Sequence, residues 1–542
     1  MKARPFLALV LAVSLVAFGL GLGGWWLVWR QGPLALAHHP LAMPRAAQFV
    51  PRQAPFSLYL LSDGEGLSSY ARAVAPPRRR RAAAAAIDRL RDGAFAAAGL
   101  DYPSELAGWL APDITLAIVE GSGPAVDPGA GNPLPSEPGW LLALSSRDDQ
   151  GARRFLQRFW QIRSLAGADL QVSSYRGMGL ISGRGDLLGR SPVPLATALV
   201  DDDLVLIASG RGVMEQALDV SQIDELNQAG QRGLAEQLEA LGQGAAFLVA
   251  RPAAMGSWLG LALPEQSSRR STQLLASLRP TGRSLRVEGL VDRLGTSPQI
   301  DAEADPAPAQ ALLTSLRGNP SGLALLRNPA ALMASPLLRP FLERAVPLSA
   351  EAGPIPALVA AADSGPLLVA QGSGGWVLGT LGETPDPAVL EAALGAEGLT
   401  AAPLEGMDPP VIAWTRLLGN PAAARPAQNG EEDQLRAALA GWRRQEGALA
   451  WWGHNLAEIE TKGSAQGAGQ RRRQLESLHL PGAALRWALG AEPARTLLDT
   501  WTPWRILSAL ASGGLDPSVQ GMALALEPRD SSLAFEALLE FG

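Results

Sequence analysis

Serine with a histidine base is the first arrangement to consider for nucleophilic catalysis, because the sequence contains no cysteine. Ser122 and Ser373 each lie in a Gly-Ser-Gly tripeptide, but neither has the glycine two positions earlier that a nucleophile elbow requires. A serine hydrolase also needs a histidine base and an orienting acid, and only His454 and His479 lie beyond the N-terminal region. We therefore interpret both tripeptides as hairpin turns, and the sequence assigns no catalytic residue.

The possible metal ligands are poorly spaced. His38 and His39 are adjacent, and neighbouring side chains do not usually converge on one ion. Asp201, Asp202 and Asp203 could offer oxygens to calcium, but they lie between two apolar segments, where a tight hairpin turn favours aspartate. No Gly-Lys-Ser/Thr motif occurs, which excludes a P-loop. The sequence thus predicts no metal site and no cofactor.

Composition limits the class of protein. The chain has 542 residues, enough for about three domains. Without cysteine it cannot hold disulfides, iron–sulfur clusters or cysteine-bound zinc. A formal net charge of −6 argues against a nucleic-acid partner. With 47% hydrophobic and 18% charged residues, global disorder is not expected.

Residues 1–30 are predicted to form a cytoplasmic start and a transmembrane anchor. Residues 6–28 are a run of 23 residues without a charge, longer than the ~20 residues that span a bilayer core. Lys2 and Arg4 precede the run, so the N-terminus should stay cytoplasmic and the bulk of the chain should be exported. The alternative is a signal peptide cleaved at the Ala-Leu-Ala of residues 35–37.

Two sets of residues in this segment predict contacts within the membrane. Gly19 and Gly23 have the GxxxG spacing that lets membrane helices pair, which would produce a homo-oligomer, although small residues are also common in such helices. The far end of the run has aromatic residues and a cation suited to the membrane interface, namely Trp25, Trp26, Trp29 and Arg30.

A basic run provides a second candidate contact with the membrane. Arg78, Arg79, Arg80 and Arg81 precede a run of alanines. Anionic headgroups attract such cations by about 1 kcal/mol each. The alternative interpretation is a solvated helix start.

Trp451 and Trp452 are adjacent in an apolar segment of the second half. Neighbouring side chains of a strand point to opposite faces, so one of the two is expected to be exposed or at an interface. The pair therefore predicts a partner or ligand contact.

Short strands with intervening helices are predicted along the exported part. Alternation and β-branched residues predict strands at Pro55–Leu61, Ile114–Val119, Trp140–Leu144, Leu170–Ser174, Ala196–Val200, Leu204–Ala208, Ala245–Val249 and Leu285–Val291. Amphipathic spacing predicts a helix over Asp149–Arg163.

Matching motifs indicate an internal duplication. A Gly-Ser-Gly turn, a Gly-Trp pair opening an apolar strand, an acidic helix cap and a Gly-Met turn follow one another in residues 121–178 and again in residues 372–407. A weaker third copy, Met522–Leu539, predicts a strand followed by a helix.

The predicted fold class is α+β. A single N-terminal transmembrane helix is followed by a duplicated domain of antiparallel sheets with helices packed on one face. The predicted boundaries are a linker at 31–54, a first half at 55–295, a linker at 296–317 and a second half at 318–542.

The layout resembles a family of cyanobacterial membrane-anchored proteins that carry a domain of unknown function, family 3352. The resemblance covers nearly the whole chain, through Gly23-Gly24-Trp25-Trp26, Phe49-Val50-Pro51, Gly139-Trp140 and Arg176-Gly177-Met178. It implies a cyanobacterial source, and hence a plasma or thylakoid membrane. It supplies no activity and no catalytic residues.

These features favour a single-pass, membrane-anchored exported protein without catalytic activity. We expect a binding or scaffold module at the periplasmic or thylakoid-lumen membrane surface. Its expected partners are the lipid bilayer, an unidentified protein and a second copy of the chain paired through the anchor, with no nucleic acid. Two alternatives stay open: a carrier of a lipid or other hydrophobic ligand, and a hydrolase with an unrecognised site.

Overall fold

The computed structural model describes residues 32–120, 138–165, 167–185, 193–251, 254, 273–292, 307–316, 318, 320–335, 338–348, 352–382, 384–418, 436–457, 459, 469–530 and 532–542. The predicted anchor lies outside these residues, as do Gly19, Gly23, Trp25, Trp26, Trp29 and Arg30. So do Ser122, most of the predicted 296–317 linker and residues 419–435.

The chain forms two compact units. Unit 1 contains the described residues up to Ala254 together with Leu275–Leu285 and Ile506–Pro517. Unit 2 contains the described residues of Met255–Leu274, Arg286–Arg505 and Ser518–Gly542.

The first nine strands of the chain run from β1 to β9. They are β1 (Phe56–Leu61), β2 (Leu110–Val119), β3 (Gly139–Ser146), β4 (Leu170–Tyr175), β5 (Met178–Gly185), β6 (Val193–Val200), β7 (Leu204–Ala208), β8 (Ala246–Ala250) and β9 (Leu274–Thr281). The helices of this part are α1 (Gly66–Val74), α2 (Arg80–Ala97), α3 (Asp149–Leu165), α4 (Arg211–Val220) and α5 (Arg232–Leu241). Short 3-10 helices at Pro33–His38 and Arg45–Phe49 precede β1.

The sheet of unit 1 is antiparallel at every resolved pairing. Its strand order is β8-β1-β2-β3-β7-β6-β5-β4. Its two faces are both buried, since successive residues of β3 belong to different core clusters. Leu141 and Ala143 pack with buried residues of α4 and α5. Leu142 and Leu144 pack with those of α3.

The remaining elements belong mainly to unit 2. The strands are β10 (Ser284–Asp292), β11 (Gly322–Leu326), β12 (Leu367–Gly372), β13 (Gly375–Leu381), β14 (Leu399–Leu404), β15 (Val411–Leu418), β16 (Arg436–Glu446), β17 (Leu449–Gly453), β18 (Leu485–Gly490), β19 (Val519–Pro528) and β20 (Ser532–Phe541). The helices are α6 (Ala307–Ser315), α7 (Pro329–Ala334), α8 (Arg339–Ala345), α9 (Ile355–Ala362), α10 (Pro387–Ala396), α11 (Gly469–Glu476), α12 (Ala491–Asp499) and α13 (Thr502–Leu510).

Unit 2 repeats the strand order of unit 1. Its central strands run β18-β11-β12-β13-β17-β16-β15-β14, again all antiparallel, and β19 and β20 continue the sheet beyond β18. In both units a helix follows the fourth strand of this order: α3 follows β3, and α10 follows β13. The corresponding strands therefore meet the same neighbours in each unit.

The predicted fold class is wrong in two respects. Helices cover both faces of the sheet in unit 1, not one face, because the strands carry buried apolar residues on both sides. In the part of the chain that the structure describes, no helix is long and apolar enough to cross a membrane, so the predicted N-terminal transmembrane helix is not seen. The described residues instead form a large antiparallel β structure of twenty strands with helices.

The predictions of individual strands and helices are mostly confirmed. All eight predicted strands and the helix at Asp149–Arg163 are confirmed, with shifts only at their ends. The helix predicted in the third copy is wrong, because Ser532–Phe541 is the strand β20, paired along its length with β19. Part of the segment predicted as a linker at 31–54 packs into the core, since Phe49 and Val50 are buried.

Candidate functional site

The four arginines of residues 78–81 lie at the start of α2. Arg79 is the residue before the helix and Arg80 begins it, with no acidic side chain in the first turn. All four are exposed. The acids further along the helix, Asp88 and Asp92, pair with Arg91 instead. Since cations at a helix N-terminus oppose the helix dipole, this run creates a positive surface that the helix itself does not neutralise.

The two tryptophans of β17 are both buried. Trp451 is 1% exposed and Trp452 is 2% exposed, so the expectation that one would be exposed is wrong. The physical reason is that both faces of this sheet are covered. Trp451 lies with Leu312 of α6 in the core of one face. Trp452 lies on the other face, beneath α10.

A cavity lies between α10 and the sheet on the Trp452 side, and we call it the Trp452 cavity. Arg443 of β16 lies directly opposite Trp452 of β17 on one side and Ile412 of β15 on the other. Directly opposite residues point to the same face of a sheet, so these three side chains share one face. The cavity has a volume of about 60 Å³. Its lining comprises Thr380, Leu381, Gly382, Thr384, Pro385, Pro387, Leu390, Glu391, Ala401, Ile412, Trp414, Arg443 and Trp452.

The length and composition of α10 explain why space is left there. The corresponding helix in unit 1, α3, has 17 residues and buries Phe155, Phe159 and Trp160. Trp160 also donates its indole hydrogen to Thr197 Oγ1 of β6, at 2.7 Å. Helix α10 has only 10 residues and buries Leu390 and Leu394. Fewer and smaller side chains therefore cover the sheet in unit 2.

Hydrogen-bond donors of the cavity lack partners. The indole nitrogens of Trp414 and Trp452 are buried without a hydrogen bond. The Arg443 guanidinium lies 5.4 Å from the ring centre of Trp452. Desolvation by burial lowers the pKa of Arg443, and no nearby acid raises it. The cavity thus contains buried donors that lack acceptors.

A buried carboxyl, that of Asp363, interacts with the side chain of Thr384, which lines the cavity. Asp363 is fully buried, and its Oδ1 accepts a hydrogen bond from the Gly365 backbone at 2.9 Å. Desolvation raises the pKa of Asp363 to about 6.

The serines and histidines considered for catalysis do not form a triad among the described residues. Ser373 lies in the two-residue turn between β12 and β13, as predicted. The Nδ1 atom of His454 is buried without a hydrogen-bond partner. His479 instead contacts Arg286 and Glu536.

The aspartates considered as calcium ligands form the predicted hairpin turn between β6 and β7. Asp201 and Asp202 have positive φ angles of 45° and 65°. Arg45 pairs with Asp201 and Asp203, while Arg153 pairs with Asp202, so the three carboxylates have cationic partners. No group of three or more potential metal ligands occurs among the described residues.

Sequence reasoning found Trp452 but missed Arg443, Trp414 and Thr384. These side chains are far apart in the sequence. They come together only because β13 pairs with β17, β17 with β16, and β16 with β15. The one local signal was the Trp-Trp pair.

Comparison with known proteins gives a family and nothing further. A family model described as "Protein of unknown function (DUF3352)" matches residues 10–318. No curated protein and no solved structure matches the chain significantly.

Proposed function

Because the chain belongs to the DUF3352 family, which brings no known activity, we propose from its own residues that it is a non-catalytic binding module held at a membrane surface. The observation that carries the proposal is the exposed arginine run, Arg78 to Arg81, which has no acidic partner in its helix turn. The chain as a whole carries a net charge of −6, so this concentration of positive charge is a local feature, and it is suited to face anionic headgroups.

The expected binding energy of the arginine run indicates that it acts together with a second attachment to the membrane. Four cations at about 1 kcal/mol each give roughly 4 kcal/mol, which corresponds to a dissociation constant of about 1 mM. Such binding is too weak to hold a protein by itself, and stable attachment usually needs two signals. The apolar run of residues 6–28 supplies the second one in this proposal.

The location follows from the same residues. Lys2 and Arg4 favour a cytoplasmic N-terminus, so the proposal places the two units on the periplasmic or lumenal side of a plasma or thylakoid membrane. The cyanobacterial source rests on the resemblance alone. Pairing of two copies through Gly19 and Gly23, and an unidentified protein partner, remain part of the proposal.

Neither alternative function has an observation in its favour. A carrier of lipid-sized ligands needs a mostly apolar pocket of about 300–1,000 Å³. The Trp452 cavity is about 60 Å³ and contains unpaired donors. A hydrolase needs a nucleophile in hydrogen-bond reach of a base, and the buried Nδ1 atom of His454 has no hydrogen-bond partner.

Trypsin accessibility tests the membrane contact. In proteoliposomes of the full chain, cleavage within residues 78–81 should be several-fold slower with phosphatidylglycerol present than with phosphatidylcholine alone. The difference should shrink at high salt, because salt screens exposed charges. Cleavage at Arg154, which is exposed on α3, provides the control and should proceed equally in both lipids. Equal cleavage rates within residues 78–81 in the two lipids would contradict the proposed contact.

A further inference from the structure

We propose that the Trp452 cavity of unit 2 binds a small oxyanion, such as a carboxylate, phosphate or sulfate. Arg443 provides the positive charge, and the indole N–H groups of Trp414 and Trp452 provide two neutral donors. This site is independent of the membrane contact proposed above, because that contact involves residues of unit 1 alone.

Among the residues that the structure describes, Trp414 and Trp452 are the tryptophans whose indole nitrogen is buried without a hydrogen-bond partner. Other buried indole groups donate to an oxygen: Trp109 to Glu105 at 2.7 Å, Trp160 to Thr197 at 2.7 Å, Trp376 to Ala352 at 2.9 Å and Trp442 to Asn455 at 2.8 Å. A buried donor without an acceptor is costly, so folded proteins rarely leave one. Two such indoles line the same cavity. An acceptor brought by a ligand would satisfy both.

The charge of Arg443 points to an anion. Its neighbours on the sheet have acidic partners, since Arg444 pairs with Glu446 and Arg416 lies 4.0 Å from Glu397. Arg443 is half-buried, and no carboxylate within ion-pair distance of it occurs among the described residues. A guanidinium that has lost water without gaining a counter-ion favours an anionic ligand, which it can contact through two parallel hydrogen bonds.

The size of the cavity limits the ligand. A buried water needs about 10–15 Å³, so a cavity of about 60 Å³ holds a group of a few heavy atoms. The acid in the lining, Glu391, is exposed on the α10 side. Its like charge at the rim should weaken anion binding without blocking it.

Calorimetric titration of the detergent-solubilised full chain tests the site. The probes are sodium phosphate, sodium sulfate and sodium acetate, each at constant ionic strength set with sodium chloride. We expect at least one probe to bind, with Arg443→Gln weakening its affinity at least ten-fold because a charged donor is lost. The matched control is Arg444→Gln, on the same strand but the opposite face, which should leave the affinity unchanged.

The three probes also identify the ligand class. Acetate binding alone indicates a planar carboxylate, whereas phosphate or sulfate binding indicates a tetrahedral oxyanion. Failure of all three to bind would overturn the proposal, as would equal affinity for the wild type and Arg443→Gln. If Arg443→Gln does not fold, Glu391→Gln decides the question, because an exposed substitution that removes a like charge should tighten binding. Unchanged or weaker binding to Glu391→Gln would then count against the site.

Discussion

Replacing Arg286 with methionine is expected to lower the free energy of unfolding of unit 2 by about 3–5 kcal/mol. Arg286 and Glu536 form a buried ion pair, with side chains 6% and 2% exposed. Arg286 also contacts the ring of His479 and donates to the backbone oxygen of Ser477 at 3.2 Å. The substitution keeps the volume roughly constant, but it leaves the Glu536 carboxylate buried without its cation.

The size of this effect comes from the unpaired acid more than from the lost attraction. Glu536 would retain two contacts with His479: the hydrogen bond from its backbone at 2.5 Å and the ring contact of its Nδ1 at 3.4 Å. A double substitution, Arg286→Met with Glu536→Leu, removes both charges and should recover much of the loss, since apolar replacements of buried pairs are often neutral. A matched single control is Arg339→Met, which breaks an exposed pair with Glu343 and should cost less than about 1 kcal/mol.

Denaturant unfolding followed by tryptophan fluorescence measures these differences. A loss below 1 kcal/mol for Arg286→Met would show that the pair contributes no more than an exposed one. A double variant less stable than the single variant would show that the carboxylate is stabilised by its other neighbours.

Local patterns predicted the strands well because each strand carries its own signal. The segment Leu204–Ala208 was predicted residue for residue as β7. Its five residues are all apolar, and all five are buried. A continuous apolar run of this kind indicates a strand buried on both faces, so the covering of both faces could have been inferred there. Trp451 and Trp452 also lie in an apolar strand, so the burial of both side chains could have been inferred in the same way.

The incorrect helix at the C-terminus shows the limit of such patterns. Residues 532–541 carry apolar side chains without a clear period of two or of 3.6, and short segments of this kind are ambiguous. Pairing with β19 decides the structure, and that partner is a tertiary contact. The duplication stays a proposal, which the shared strand order of the two units supports.

The Trp452 cavity could not be predicted, because its composition depends on register. Arg443 lies opposite both Trp452 and Ile412 only when β15, β16 and β17 pair as they do. A shift of one residue would turn Arg443 to the other face of the sheet. The cavity also depends on the short helix α10 that covers it. Sequence alone does not show that α10 is too short to fill this space, because that becomes evident only by comparison with the longer α3 of unit 1.

Replacing Asp363 with asparagine is expected to stabilise unit 2 at pH 8 by about 3 kcal/mol, and at pH 4 by less than about 1 kcal/mol. Burial raises the pKa of Asp363 from 3.8 to about 6, so the folded state holds its proton more tightly than the unfolded state. Stability is therefore lost as the pH rises from about 4 to about 6, where the folded carboxyl finally ionises. Asparagine is neutral throughout and removes this dependence.

The local contacts suit the substitution. The amide oxygen can still accept from the Gly365 backbone, as Oδ1 does at 2.9 Å. The amide nitrogen replaces Oδ2, and the neighbouring Thr384 hydroxyl can accept a hydrogen bond from it. The matched control is Asp386→Asn, at the exposed N-cap of α10, where asparagine and aspartate serve almost equally.

Unfolding in denaturant at pH 4, 6 and 8 checks this expectation. The difference between Asp363→Asn and the wild type should grow across the series, whereas that for Asp386→Asn should stay within about 0.5 kcal/mol, as for ordinary surface substitutions. An Asp363→Asn variant less stable than the wild type at pH 8 would mean that the buried carboxylate is stabilised in its ionised form. A difference independent of pH would mean that packing, not ionisation, determines the effect.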